Sequence, residues 1–80
     1  MSGESSAKNI PAAAIRICVN NEIHAVPAGM NVVSLLAHLR IRADRVAIER
    51  NLQILPRDAW EKTYVEPEDH FEIVHFVGGG

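Results

Sequence analysis

The residues with the clearest chemical potential stand at the end of the chain, Val74-His75-Phe76-Val77-Gly78-Gly79-Gly80. An apolar strand pattern runs into three glycines and stops. Fixing a backbone residue costs roughly 1–2 kcal/mol, and glycine buries no side chain in return, so the pattern predicts a tail that is mobile when free. What glycine offers is access. Lacking Cβ atoms, Gly78 and Gly79 can thread a narrow channel and present the α-carboxylate of Gly80, about 10 Å beyond the strand at ~3.3–3.6 Å per residue. A carboxylate repels nucleophiles, whereas its adenylate is a mixed anhydride open to attack by sulfur or nitrogen. The chemistry expected at Gly80 is that of a terminus activated by another enzyme. The alternative reading of the tail alone is a short Gly-rich linker or a cloning scar.

No other group in the sequence assembles into a site. Cys18 lies in the alternating run Ile15-Arg16-Ile17-Cys18-Val19 and shares a face with Arg16, with no histidine or acid at short spacing to complete a catalytic set. It reads as a passive strand residue. His24, His38, His70 and His75 show none of the zinc spacings. The acidic run Glu66, Glu68, Asp69 and Glu72 reads as a solvated turn that could also steer a basic partner. No phosphate-cradling glycine loop precedes a helix and no nucleophile elbow is present, so no catalytic residue, metal site or bound cofactor is expected.

Composition bounds the partners. Eighty residues suit one domain, which buries only about 60–65% of its unfolded surface and leaves little room for a deep cleft. A net charge of −2 argues against nucleic acid and against an anionic membrane surface. No apolar run reaches membrane-spanning length, and no secretory pattern opens the chain. One cysteine agrees with a reducing compartment, giving a cytoplasmic reading.

The elements that would carry the tail follow from periodicity. Residues 1–14 are small and polar and are expected to be a disordered leader, with a domain over 15–77 and a flexible tail over 78–80. Ile15 to Val19 alternates as a half-buried strand, Asn20-Asn21 tolerates the positive φ of a tight hairpin turn, and Glu22 to Val26 returns. Asn31 is a natural N-cap, and Val32, Leu35, Leu36 and Leu39 form one helical stripe, predicting a helix over 32–40 with His38 solvated. Arg45 to Arg50 is a strand, Leu52 to Leu55 a short extended piece, and Arg57 to Glu61 a single turn whose Trp60 plugs one end of the core. After an acidic turn, the last strand is expected over His70 to Val77.

Hairpin, helix, strand, short strand and strand make an α+β roll with one sheet face covered. In the β-grasp arrangement the first and last strands run parallel at the sheet centre, which projects the tail from one end. Phe71, Ile73, His75 and Val77 share one face of the last strand; Glu72, Val74 and Phe76 share the other. If Phe71 and Ile73 meet the helix, Val74 and Phe76 face outward. Either they form a partner-binding patch beside the tail, or the short strand and the Trp60 loop cover them.

The run Ala47-Ile48-Glu49-Arg50-Asn51, then Ile54, Pro56-Arg57 and Trp60, then Glu72 to Gly80, closely resembles the ThiS family of sulfur carriers in thiamin biosynthesis. The Asn20-Asn21 hairpin and the helix opening Asn31-Val32 with Leu35-Leu36 fit as well, and the resemblance covers about Ile15 to Gly80. It implies a ubiquitin-like β-grasp fold, a mixed sheet of four to five strands packed on one helix. Its implied core includes Ile17, Val19, Leu35, Leu36, Ile48 and Ile73. It further implies a ThiF-type enzyme that uses Mg-ATP to adenylate Gly80, sulfur relayed as a persulfide from a cysteine desulfurase, and a ThiG-type thiazole synthase that receives it. Gly80 would carry the sulfur while the carrier itself catalyses nothing. A MoaD-like carrier of molybdopterin synthesis, a ubiquitin-like protein modifier and a plain interaction module are the alternatives. Against the first, His75-Phe76-Val77 lacks a proline-rich approach to the glycines.

Overall fold

The computed structural model describes residues 13–76. The tail read over 78–80 and most of the leader read over 1–14 lie outside that range. Ala14, assigned to the leader on composition, already belongs to the first strand.

The order is β1 (Ala14–Val19), β2 (Glu22–Pro27), α1 (Val32–His38), β3 (Val46–Arg50), β4 (Gln53–Leu55) and β5 (His70–His75), with 3-10 turns at Ala43–Arg45 and Arg57–Ala59. The strands form one five-stranded sheet in the order β2-β1-β5-β3-β4. β1 and β5 are parallel at its centre, and the other neighbours are antiparallel. This is the β-grasp topology expected from the element order.

The hairpin β1–β2 turns on Asn20 and Asn21, at φ of 50° and 70°. These left-handed values are ones asparagine tolerates better than most residues, and they match the right-handed twist of the flanking strands. Alternation then sorts the side chains: Ile17 and Val19 are buried, whereas Arg16 is exposed and Cys18 half-buried.

Helix α1 opens on Asn31, whose Oδ1 accepts the Ser34 N–H at 2.8 Å, as its cap signature predicts. It closes two residues before the predicted end. Arg40 turns left-handed at φ 61°, its N–H donates to the Ala37 carbonyl, and the Ile41 N–H donates to the Leu36 carbonyl. That pair of bonds is a Schellman closure, which satisfies carbonyls the helix would leave free. Arg40 therefore follows the helix instead of occupying its last turn. The stripe Val32, Leu35 and Leu36 packs with Ile17, Val19, Val26, Val46, Ile48, Phe71 and Ile73 in one core.

Trp60 closes one end of that core, as expected from its bulk. Its indole N–H donates to the Leu55 carbonyl at 3.0 Å, and the Arg57 guanidinium lies 4.5 Å from the ring centroid. The polar edge of the ring is thus satisfied while its body stays in apolar surroundings. At the opposite end of β5, Glu66 to Asp69 make a turn with Pro67 second and Glu68 at φ 69°, closed by the Asp69 N–H on the Glu66 carbonyl.

Candidate docking face and tail exit

Strand β5 carries the tail, and three neighbours hold it. On one side β3 pairs with it from Val46↔His75 to Arg50↔Phe71, and the Phe76 N–H continues the ladder to the Arg45 carbonyl at 2.8 Å. On the other side β1 pairs with it at only two positions, Cys18↔His70 and Val19↔Phe71. Regular pairing ends at His75, short of the predicted end at Val77, which lies outside the described residues.

The inward face of β5 is as predicted. Phe71 is fully buried and Ile73 nearly so. Val74 and Phe76 point the other way and are 58% and 56% exposed, so neither the short strand nor the Trp60 loop covers them. Two arrangements keep them open. β4 lies within the sheet beside β3 and does not cross its face, and Trp60 inserts on the helix side.

The open face extends beyond the two residues singled out from the sequence. Ala47 stands opposite Val74, and Ile54, 75% exposed, stands opposite Glu49. Glu49 in turn faces Glu72. Leu52, at φ 71° in the β3–β4 turn, is more exposed still. Ile54 was legible as the residue out of phase with Leu55, because alternate strand residues face opposite ways. Its exposure depended on β4 being an outer strand.

Where β5 ends, Arg42, Asp44, Arg45, His75 and Phe76 surround an open depression of about 260 Å³. Arg42 and Asp44 form an exposed ion pair at 3.3 Å, which adds little to stability in water. The exit of the strand is thus basic and aromatic, whereas its start is acidic.

The remaining candidates do not converge. Cys18 and His70 occupy neighbouring register positions on the central strand pair, a proximity their spacing in sequence concealed, and among the described residues no hydrogen bond joins them. Among the described residues no three His, Cys, Asp or Glu side chains are grouped to hold a metal ion. No described helix is long and apolar enough to cross a membrane. Gly78, Gly79 and Gly80 lie outside the described residues.

An α+β domain with parallel central strands, one covering helix and an apolar open face at the end of its last strand is a β-grasp domain of the ubiquitin-like kind. The profile of the ThiS family matches residues 10–80, and the chain belongs to that family. A thiamine biosynthesis protein (ThiS) from Geobacter metallireducens, known from a crystal structure, superposes with a TM-score of 0.72 at 33% identity, over 82% of this chain and 100% of that one. The sulfur carrier protein ThiS of Bacillus subtilis is 37% identical over 49 residues, 61% of this chain and 74% of the relative. A thiazole synthase of Paramagnetospirillum magneticum is 38% identical over 66 residues, which are 82% of this chain but only 20% of that protein. A second thiazole synthase, from Magnetococcus marinus, also matches over 20% of its length, so the chain spans about a fifth of these relatives.

Proposed function

We propose that this protein is a sulfur carrier whose Gly80 carboxylate is the working group, acting in thiazole formation for thiamin. The carboxylate attacks the α-phosphate of Mg-ATP on a ThiF-type activating enzyme, pyrophosphate leaves, and an acyl adenylate forms. The terminal sulfur of a persulfide, charged by a cysteine desulfurase, then attacks the carbonyl carbon and expels AMP. A thiol cleaves the remaining S–S bond and frees the thiocarboxylate, which a ThiG-type thiazole synthase consumes. The carrier performs none of these steps itself. Gly78 and Gly79 provide the narrow approach, Val74 and Phe76 the docking contact, and the cytoplasm the reducing setting in which the lone Cys18 stays a thiol.

The observation that carries this reading is the placement of Phe76. It is exposed on the open face, tied to Arg45 through its backbone, and four residues from the terminal carboxylate. A partner that grips this face is within reach of the tail, since four extended residues span about 13–14 Å. The similarity of the chain to one-fifth of a thiazole synthase supports a ThiG-type recipient.

Incubation of the chain with a ThiF-type enzyme, Mg-ATP and a persulfide source, followed by intact mass, should show one oxygen replaced by sulfur at Gly80. Absence of both adenylate and thiocarboxylate would remove the carrier reading. Adducts on protein lysines in cell extract would point to a ubiquitin-like modifier instead.

A further inference from the structure

Strand β1 ends at Val19, yet β5 runs on to His75. In the place a further β1 residue would occupy stands the side chain of Asn20. Its Oδ1 accepts the Ile73 N–H at 2.7 Å, and its Nδ2 donates to the Ile73 carbonyl at 3.2 Å. The Asn20 N–H itself donates to the Phe71 carbonyl at 2.9 Å. Main chain and side chain of one residue therefore engage β5 at Phe71 and again at Ile73. A primary amide presents one acceptor and one donor side by side, as a peptide unit of a neighbouring strand does. Among the amino acids tolerant of this turn, aspartate offers only acceptors and glycine offers neither.

We infer that Asn20 is a positioning residue for the strand end that bears the tail: its carboxamide latches β5 at Ile73 and fixes the line of the strand through Val74 and Phe76. The inference rests on the carrier reading for its functional consequence. Beyond Ile73 the only described strand beside β5 is β3, so one edge alone guides the last residues. A strand end held on both sides keeps Val74 and Phe76 in one orientation relative to the rest of the sheet. A strand end held on one side samples others, and a partner binds only the competent fraction of them. Apparent affinity falls by that fraction, whereas the bound complex and its turnover are unchanged.

The competing account is that Asn20 serves the hairpin alone, because its φ of 50° favours asparagine or glycine. The two separate cleanly. Asn20→Gly keeps the turn and deletes the latch. Asn20→Asp keeps the turn and the bond to the Ile73 N–H, but sets an oxygen against the Ile73 carbonyl.

The test measures adenylation of the full chain by the ThiF-type enzyme, as pyrophosphate release, at a temperature where every variant is folded. The latch predicts that KM rises ~3–10-fold in Asn20→Gly and at least as much in Asn20→Asp, with kcat unchanged. Exchange of the Ile73 amide should quicken ~3–10-fold in Asn20→Gly, the range set by loss of one hydrogen bond. Val26→Ala, which loosens the core away from β5, is the control: it lowers the thermal midpoint while leaving KM as in the parent. Wild-type KM in both Asn20 variants would overturn the inference and leave the carrier reading standing. A parent chain that is never adenylated would refute the carrier reading and with it the role assigned to Asn20. A KM rise in Val26→Ala equal to that in Asn20→Gly would reduce the effect to stability and also overturn it.

Discussion

Arg50 and Asp69 form a largely sheltered ion pair: Nε and Nη2 of Arg50 both stand 2.9 Å from Oδ2 of Asp69. The same oxygen accepts the Glu66 N–H at 2.9 Å, and Oδ1 takes Asn51 Nδ2 at 3.2 Å. Asp69 is only 5% exposed and, among the described residues, is the sole buried charged one. It ties the β3–β4 turn to the acidic turn that launches β5, and its own carbonyl accepts the Cys18 N–H at 2.9 Å. One carboxylate thus fixes where the tail-bearing strand begins.

Removing it should be costly. Asp69→Ala strands the Arg50 charge and the Glu66 N–H, and we expect a loss of about 2–4 kcal/mol, less than for a fully buried pair because Arg50 keeps some solvent. Urea unfolding measures it, and a loss below half a kcal/mol would show that water replaces the carboxylate. Asp69→Asn keeps the shape and one acceptor and should lose less.

Val74 and Phe76 should behave in the opposite way. Their exposure predicts that Val74→Glu and Phe76→Glu change stability by no more than about 0.5–1 kcal/mol. Each should nevertheless weaken binding to the activating enzyme ~10-fold or more, since truncation of a central apolar anchor costs 1 kcal/mol or beyond. Titration calorimetry alongside thermal melts separates the two effects. A large fall in melting temperature for both would place these side chains in the core.

Asn31 has two duties at the mouth of α1. Its Oδ1 caps the helix at Ser34, and its Nδ2 donates to the Glu61 carbonyl at 3.1 Å, joining the helix start to the Trp60 loop. Asn31→Ala should cost about 1–2 kcal/mol, whereas Asn31→Asp keeps the cap and should cost less. Equal losses in denaturant unfolding would give the weight to the Glu61 bond instead.

The tail can be separated from the platform. Glycines bury no side chain, so a chain ending at Gly78 should melt within about a degree of the parent. It should carry no sulfur in the intact-mass assay. A truncated chain that still supported thiazole formation would move the working group elsewhere.

What the sequence determined by itself is the periodic patterns and the side-chain cap. The alternation of Ile15, Ile17 and Val19, the stripe of Val32, Leu35 and Leu36, and the Asn31 cap each lie within a few residues and dictate strand, helix and boundary directly. The role proposed for Gly80 likewise rests on the sequence, since the described residues end at Phe76. Boundaries set by closure were less legible: the end of α1 at His38 comes from a left-handed Arg40, a conformation its residue type does not announce. Tertiary structure alone decided which faces stay open and which distant residues meet. Periodicity shows that Val74 and Phe76 share a face, but only the sheet order, with β4 alongside β3, leaves that face uncovered. Likewise Asn20 is a turn residue to the sequence, and it becomes the partner of Ile73, 53 positions away, only when two central strands of unequal reach lie side by side. Hydrogen bonding across a sheet joins residues by register and not by spacing, so these contacts exist only once the strands have assembled.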